Sequence, residues 1–165
     1  MKLIIHDLDE KTAESFFKDK SGIRCISDDK SIHHCIGCFG CWVKDPGECV
    51  IKDKYCNTGE LISKSEELII ISKCCYGGFS PFVKNVLDRS ISYVHPYFEI
   101  RNGQMHHKKR YDTSFSLSVY FYGDDITDSE KELTHNLVRA VSINLNAKVK
   151  EVAAFSDIQQ IGGKL

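Results

Sequence analysis

Four cysteines, Cys35, Cys38, Cys41 and Cys49, crowd the stretch that ends at Asp53, in the spacing C-x2-C-x2-C-x7-C. The chain's only tryptophan, Trp42, shares this window with Pro46 and with Gly37, Gly40 and Gly47, which relax the backbone around it. Thiolates three residues apart in a tight turn can converge on one soft centre. Three cysteines at successive short gaps with a later fourth suit an iron–sulfur cluster. Zinc more often takes two well-separated pairs. Reduced thiols that merely line a compact loop account for the same residues equally well.

Other reactive groups are weaker signals. Cys74 and Cys75 are vicinal, but a disulfide between neighbours is strained and free thiols are the simpler reading. Cys25 and Cys56 are expected to pack as small hydrophobes, and His6 to have its hydrogen bonds met. Asp124 and Asp125 read as turn and pre-cap residues. The segment Arg101 to Arg110 gathers Arg101, Lys108, Lys109 and Arg110 with His106 and His107. Such a cluster can contact phosphate, and a solvated basic loop explains it as well. No Ser–His–Asp arrangement and no P-loop signature stands out.

The elements that must position these groups follow from length and pattern. At 165 residues the chain, 1–165, is expected to be one domain with an ordinary core. A formal net charge of -1 argues against nucleic acid or an anionic membrane as partner. No apolar run approaches the length of a membrane span. The opening residues reach Asp7 too soon for a signal-peptide core. Eight cysteines without an export signal point to a reducing cytoplasm, where disulfides are rare.

Strands are expected over Lys2 to His6, Ile23 to Ile26, Glu67 to Ser72, Phe115 to Phe121 and Lys148 to Phe155. The third is nearly all apolar, as in a strand covered on both faces. Helices are expected around Thr12 to Lys18 and through Leu61, Ile62 and Lys64. Two more follow the Ser80-Pro81 cap and the Thr127–Glu130 capping box. His95 to Asp112 lacks periodicity and is expected to be a functional loop or an oligomer contact. Five strands interleaved with helices make an open, doubly wound α/β sheet. Its ligands lie beyond the carboxyl ends of the strands, near the switch point. The candidate site loops are Asp7 to Lys11, Lys73 to Ser80 and Tyr122 to Thr127, with the cysteine loop at the same edge.

Cys35-x-Gly37-Cys38-x2-Cys41-Trp42-x3-Pro46-Gly47-x-Cys49-x3-Asp53, with Lys84 and the Asp88-Arg89 pair downstream, resembles the flavodoxin-like NAD(P)H-dependent FMN reductase family. Within it the match is to the cysteine-rich branch that includes the iron–sulfur flavoproteins. The resemblance implies a flavodoxin-like three-layer sandwich with a five-stranded parallel sheet of order 2-1-3-4-5. It implies an oxidoreductase that moves electrons from NAD(P)H through bound FMN to an unknown acceptor. It implies a homodimer or homotetramer with the flavin near a subunit interface, and a [4Fe-4S] cluster on Cys35, Cys38, Cys41 and Cys49. Cys75, Tyr76, Gly77 and Gly78 would line the isoalloxazine, Tyr122 and Gly123 would flank its other side, and Thr12 would serve the phosphate.

Two departures from the family pattern bear on the flavin. A Ser/Arg/Gly/Thr-rich phosphate loop is replaced by Asp7-Leu8-Asp9-Glu10-Lys11-Thr12. A helix N-terminus favours an anion by roughly 0.3–1 kcal/mol. A carboxylate about 4 Å from a phosphate charge opposes it by roughly 4 kcal/mol at an effective dielectric near 20. Repulsion wins if Asp7 or Asp9 faces the pocket, and the Arg101 to Arg110 segment, from a neighbouring subunit, is then the expected substitute. At the ring loop the family's Pro-x-Tyr is replaced by Lys73 and Cys75, with Tyr76, Gly77 and Gly78 following. The competing expectation is a fold kept after FMN binding was lost, leaving a metal-binding or thiol-sensing protein.

Overall fold

In the computed structural model, which describes residues 1–18, 20–101 and 103–165, short strands alternate with helices as the apolar pattern demands. The chain runs β1 (Lys2–His6), α1 (Glu10–Phe17), β2 (Ile23–Ser27), α2 (Gly40–Val43), α3 (Thr58–Ser63), β3 (Glu67–Lys73), α4 (Pro81–Arg89), a 3-10 turn (Ser90–Tyr93), β4 (Val94–Arg101), β5 (Gln104–Lys109), β6 (Ser116–Tyr122), α5 (Asp128–Leu145), β7 (Lys148–Phe155) and α6 (Gln159–Gly162). Five of the strands form one sheet in the order β2-β1-β3-β6-β7, every neighbouring pair parallel. Numbered within that sheet alone, this is the expected 2-1-3-4-5 order.

The sheet is covered on both faces, which is why its central strands are apolar without alternation. Leu3, Ile5, Leu68, Ile70, Leu117, Val119 and Phe121 join the core beneath α3, α4 and α5. Ile4, Ile69, Ile71 and Tyr120 join the smaller core with Phe16 of α1 and Ile161 of α6. Full burial of each such side chain is worth about 1.5–3 kcal/mol. The helix starts are those the sequence signals. Ser80 accepts from the Val83 amide with Pro81 in the first turn. Thr127 and Glu130 form a reciprocal capping box.

The segment expected to be an irregular loop is instead an antiparallel hairpin, β4–β5, outside the main sheet. Tyr97, Phe98, Ile100 and Met105 are exposed on it, so no buried face imposes a regular alternation. It is pinned at both ends. The Trp42 indole donates to the Val94 carbonyl at 2.9 Å, and Arg101 donates to the Ile143 carbonyl of α5 at 3.1 Å. No helix among the described residues is long and apolar enough to cross a membrane.

Candidate functional site at the carboxyl edge of the sheet

The first loop at this edge is three residues long, because α1 begins directly after Asp9. Asp9 is the N-cap of α1. Its carboxylate accepts from the Thr12 amide at 3.0 Å and from the Thr12 hydroxyl at 2.6 Å. Those two bonds hold the Asp9 carboxyl below the usual carboxylate range. Asp7 turns the other way and accepts from the Lys73 amide at 2.9 Å and the Tyr122 hydroxyl at 3.1 Å. Burial, reinforced by the Asp7 charge, pushes the Tyr122 phenol well above its ordinary pKa. The Thr12 donors expected to serve a phosphate, and the hydroxyl of Tyr122, are therefore already answered by the chain's own carboxylates.

The second loop, between β3 and α4, is a miniature hairpin. The Cys75 amide donates to the Gly78 carbonyl at 3.0 Å and the Gly78 amide returns to the Cys75 carbonyl at 2.8 Å. Tyr76 and Gly77 between them have φ of 53° and 75°, the paired positive values of a type I′ turn. At Gly77 a Cβ would stand 2.6 Å from the Leu133 Cβ, so both its φ and the approach of α5 require glycine. Tyr76, a residue type that rarely takes positive φ, is 93% exposed at the tip. The Gly123 amide is taken by the Phe155 carbonyl at 3.1 Å. Of the residues expected around a flavin ring, the structure brings Cys75, Tyr76, Gly77, Gly78, Tyr122 and Gly123 to one edge.

The cysteine loop is organised from beneath by Arg89, the last residue of α4, which is 1% exposed. Its guanidinium donates to both oxygens of Asp53, at 2.8 and 2.9 Å. It also donates to the His33 carbonyl at 2.8 Å and to the Ile51 carbonyl at 3.1 Å. One side chain thus ties the residues before Cys35 to those after Cys49. Burial raises the Asp53 carboxyl, but Arg89 and the amides of Tyr55 and His33 outweigh it and leave the pKa at about 2. Burial also works against the Arg89 charge, and Asp53 with the neighbouring Cys49 more than restores it.

Cys35, Cys38, Cys41 and Cys49 line one cavity of about 390 Å³ with Leu87 and Arg89, at the end of α4 opposite its Ser80 cap. The cysteine cavity thus takes no residue from the three loops at the carboxyl edge that it was expected to join. Cys35 and Cys38 are exposed, and Cys41 and Cys49 are buried. Burial, then the charges of Cys49, Cys35 and Cys38, raises the Cys41 thiol pKa. Among the described residues no three Cys, His, Asp or Glu side chains gather closely enough to hold a metal ion. The thiols share a space without converging on a point. That arrangement departs from a zinc centre, whose sulfurs all lie about 2.3 Å from one ion. All eight cysteines are free.

Three other expectations change. Cys25 is exposed on the edge strand β2, not packed in the core. His6 is buried at 2% exposure, and its Nδ1 has no hydrogen-bond partner among the described residues. In the basic segment, Arg101 and Arg110 are spent on carbonyls and His107 lies between Trp42 and Phe98, with ring centroids 5.1 and 4.6 Å away. Only Lys108 and Lys109 of that cluster's cations remain exposed without such a structural bond among the described residues.

The order of the parallel sheet and the helices on both its faces define a flavodoxin-like α/β protein. Solved structures share the fold. An NADPH-quinone reductase from P. pentosaceus is 11% identical, with 98% of this chain and 92% of that chain covered and a TM-score of 0.59. An FMN-dependent NADH-azoreductase from Bacillus anthracis, solved with FMN, is 10% identical over 98% of this chain and 92% of that one, with a TM-score of 0.57. General stress protein 14 from Treponema denticola, also solved with FMN, is 14% identical over 99% and 90%, with a TM-score of 0.54. At these identities the likeness establishes the fold. No protein-family model matches the chain, and a comparison with curated protein sequences finds no match.

Proposed function

We propose that this chain is a flavin-dependent oxidoreductase that moves electrons from NAD(P)H to an acceptor. The observation that carries the reading is the fold itself, matched over nearly the whole chain by proteins solved with FMN. The exposed Tyr76 at the tip of a turn beside the β1/β3 switch point supports it, since that phenol ring is left uncovered by the described residues and suits a planar ligand. The edge offers the exposed Tyr76 ring to a flavin but no free donor to a phosphate from Thr12 at the start of α1, where Asp9 holds both its amide and its hydroxyl. Bound flavin would supply the hydride chemistry, and this chain's part is to position it.

We further place a [4Fe-4S] cluster on Cys35, Cys38, Cys41 and Cys49. Its support is a set of four thiols around one cavity, because a cluster's ligands each bind a separate iron and need not meet at a point. Such a cluster would exchange single electrons. Free thiols throughout suit a reducing cytoplasm. The apolar side chains exposed on the hairpin support a homodimer or homotetramer. Sedimentation of the purified chain should give twice or four times the 18.8 kDa chain mass, and a monomer would sink that part.

A second reading has its own observation, the Asp9 cap at the phosphate position. On it the fold persists without a flavin, and the four-thiol cavity binds metal or senses oxidants. An anaerobic ultraviolet–visible spectrum of freshly purified protein, with iron and zinc assays, separates the two. Flavin bands support the oxidoreductase, and a broad brown shoulder with iron adds the cluster. A colourless protein that takes up no added flavin overturns the oxidoreductase reading. Zinc in that sample would favour a structural metal site, and no metal a thiol protein.

A further inference from the structure

In a sheet of this order the anion site is the start of α1, at the switch point between β1 and β3, where a helix offers free amides. This chain fills that site with its own charge. The Thr12 amide and hydroxyl both donate to Asp9. Across the switch point, the Lys73 amide and the Tyr122 hydroxyl both donate to Asp7. The same edge carries Glu10 in the first turn of α1, Asp28 and Asp29 after β2, and Asp124 and Asp125 after β6. Lys30 and Lys54 are paired with Asp28 and Asp29. Lys11 and Lys73 are exposed at the edge, two flexible cations against this larger set of carboxylates.

We propose that this edge rejects phosphate, so that a flavin is held by its ring and its ribityl hydroxyls, and riboflavin binds at least as tightly as FMN. The inference rests on the flavin reading given above and makes Asp9 its specificity-determining residue. The chemistry is asymmetric. Asp7 Oδ1 already accepts from both the Lys73 amide and the Tyr122 hydroxyl, but each Asp9 oxygen keeps a second lone pair after accepting from Thr12, so it can accept again from a hydroxyl. It has nothing to offer a phosphate oxygen, which is also an acceptor and carries the same sign of charge. The edge therefore suits a neutral polyol chain and opposes its phosphorylated form.

The test is a fluorescence-quenching titration of the full chain with riboflavin and with FMN at low ionic strength, repeated with Asp9→Asn. Asparagine is as good an N-cap as aspartate, so α1 keeps its start while the charge goes. Native protein should bind riboflavin at least as tightly as FMN. In Asp9→Asn, FMN should tighten by at least about tenfold, while riboflavin stays within about twofold, its hydroxyls being uncharged. Native protein that binds FMN more tightly than riboflavin overturns the inference and leaves the flavin reading standing. An Asp9→Asn chain whose FMN affinity does not rise also overturns it. Failure to bind either flavin overturns both together.

Discussion

Replacing Arg89 with leucine is expected to lower the unfolding free energy by about 3–5 kcal/mol, the range for breaking a buried ion pair from one side. The guanidinium is wholly buried and meets Asp53 as a fork on a fork. Leucine would fill much of the space but leave the Asp53 carboxylate and the His33 and Ile51 carbonyls without these donors. Lysine should not rescue the variant, because one ammonium cannot serve both carboxylate oxygens and two carbonyls in a plane. The cost should fall on the cysteine loop first, since Arg89 is what joins its two ends. Urea denaturation should show the loss, and Cys41 and Cys49 should react faster with a thiol reagent under native conditions. A leucine variant within about 1 kcal/mol of the native chain, with its buried thiols still slow, would show that the loop is held by something else.

The acid side of the same pair gives a consistent expectation. Asp53 titrates at about 2 in the folded chain and near 3.9 when unfolded. Its contribution is therefore fully present above the unfolded value and is lost as the pH falls through the folded one.

How much of this arrangement could be read beforehand depends on the range of the interaction. β3 was readable because Leu68 to Ile71 are consecutive and a strand buried on both faces needs no alternation. The starts of α4 and α5 were readable because Ser80-Pro81 and Thr127–Glu130 are local signals. The β4–β5 hairpin was missed because Tyr97, Phe98, Ile100 and Met105 face solvent, and a strand with no buried face leaves no period. The signal that would have found it is the Asn-Gly dipeptide at 102–103, a favoured hairpin turn, between Arg101 and Gln104.

Within the site, the acidic first loop announced that a phosphate would be opposed, but not that Asp9 would take both donors of Thr12. The Arg89 clamp joins segments 36 residues apart at Asp53, and the Asp88-Arg89 pair pointed to a family without saying what the arginine holds. Whether four cysteines share a cavity or meet at a point depends on the loop's path, which spacing alone does not fix. His6 was misread for a related reason. A histidine ending an apolar strand shows nothing of whether its ring nitrogens find partners.

That buried ring carries the second large expectation. Lowering the pH from about 6.5 to about 4 should cost the fold about 3 kcal/mol through His6 alone. Burial brings its pKa down to about 4, so the folded chain keeps it neutral across this window. The unfolded chain binds the proton near 6.5 and therefore holds more protons than the folded one in between. Stability then rises with pH through the window, and the penalty saturates once both states are charged, below about 4. Glu10, Glu14, Cys25, Asp28 and Asp29 line the cavity beside the ring, and carboxylates also titrate near the lower end. The His6 share must therefore be isolated by a variant. His6→Leu, placed against Phe17 and beside Ile71 of β3, should keep the fold and flatten most of the slope between pH 4 and 6.5 in urea melts. If the leucine variant keeps the native slope, the titration belongs to the acidic rim and not to His6. If the native slope is reproduced only with histidine, the last turn of α1, whose Phe17 ring lies 5.3 Å from the imidazole, packs on a neutral ring that acid must charge inside the core.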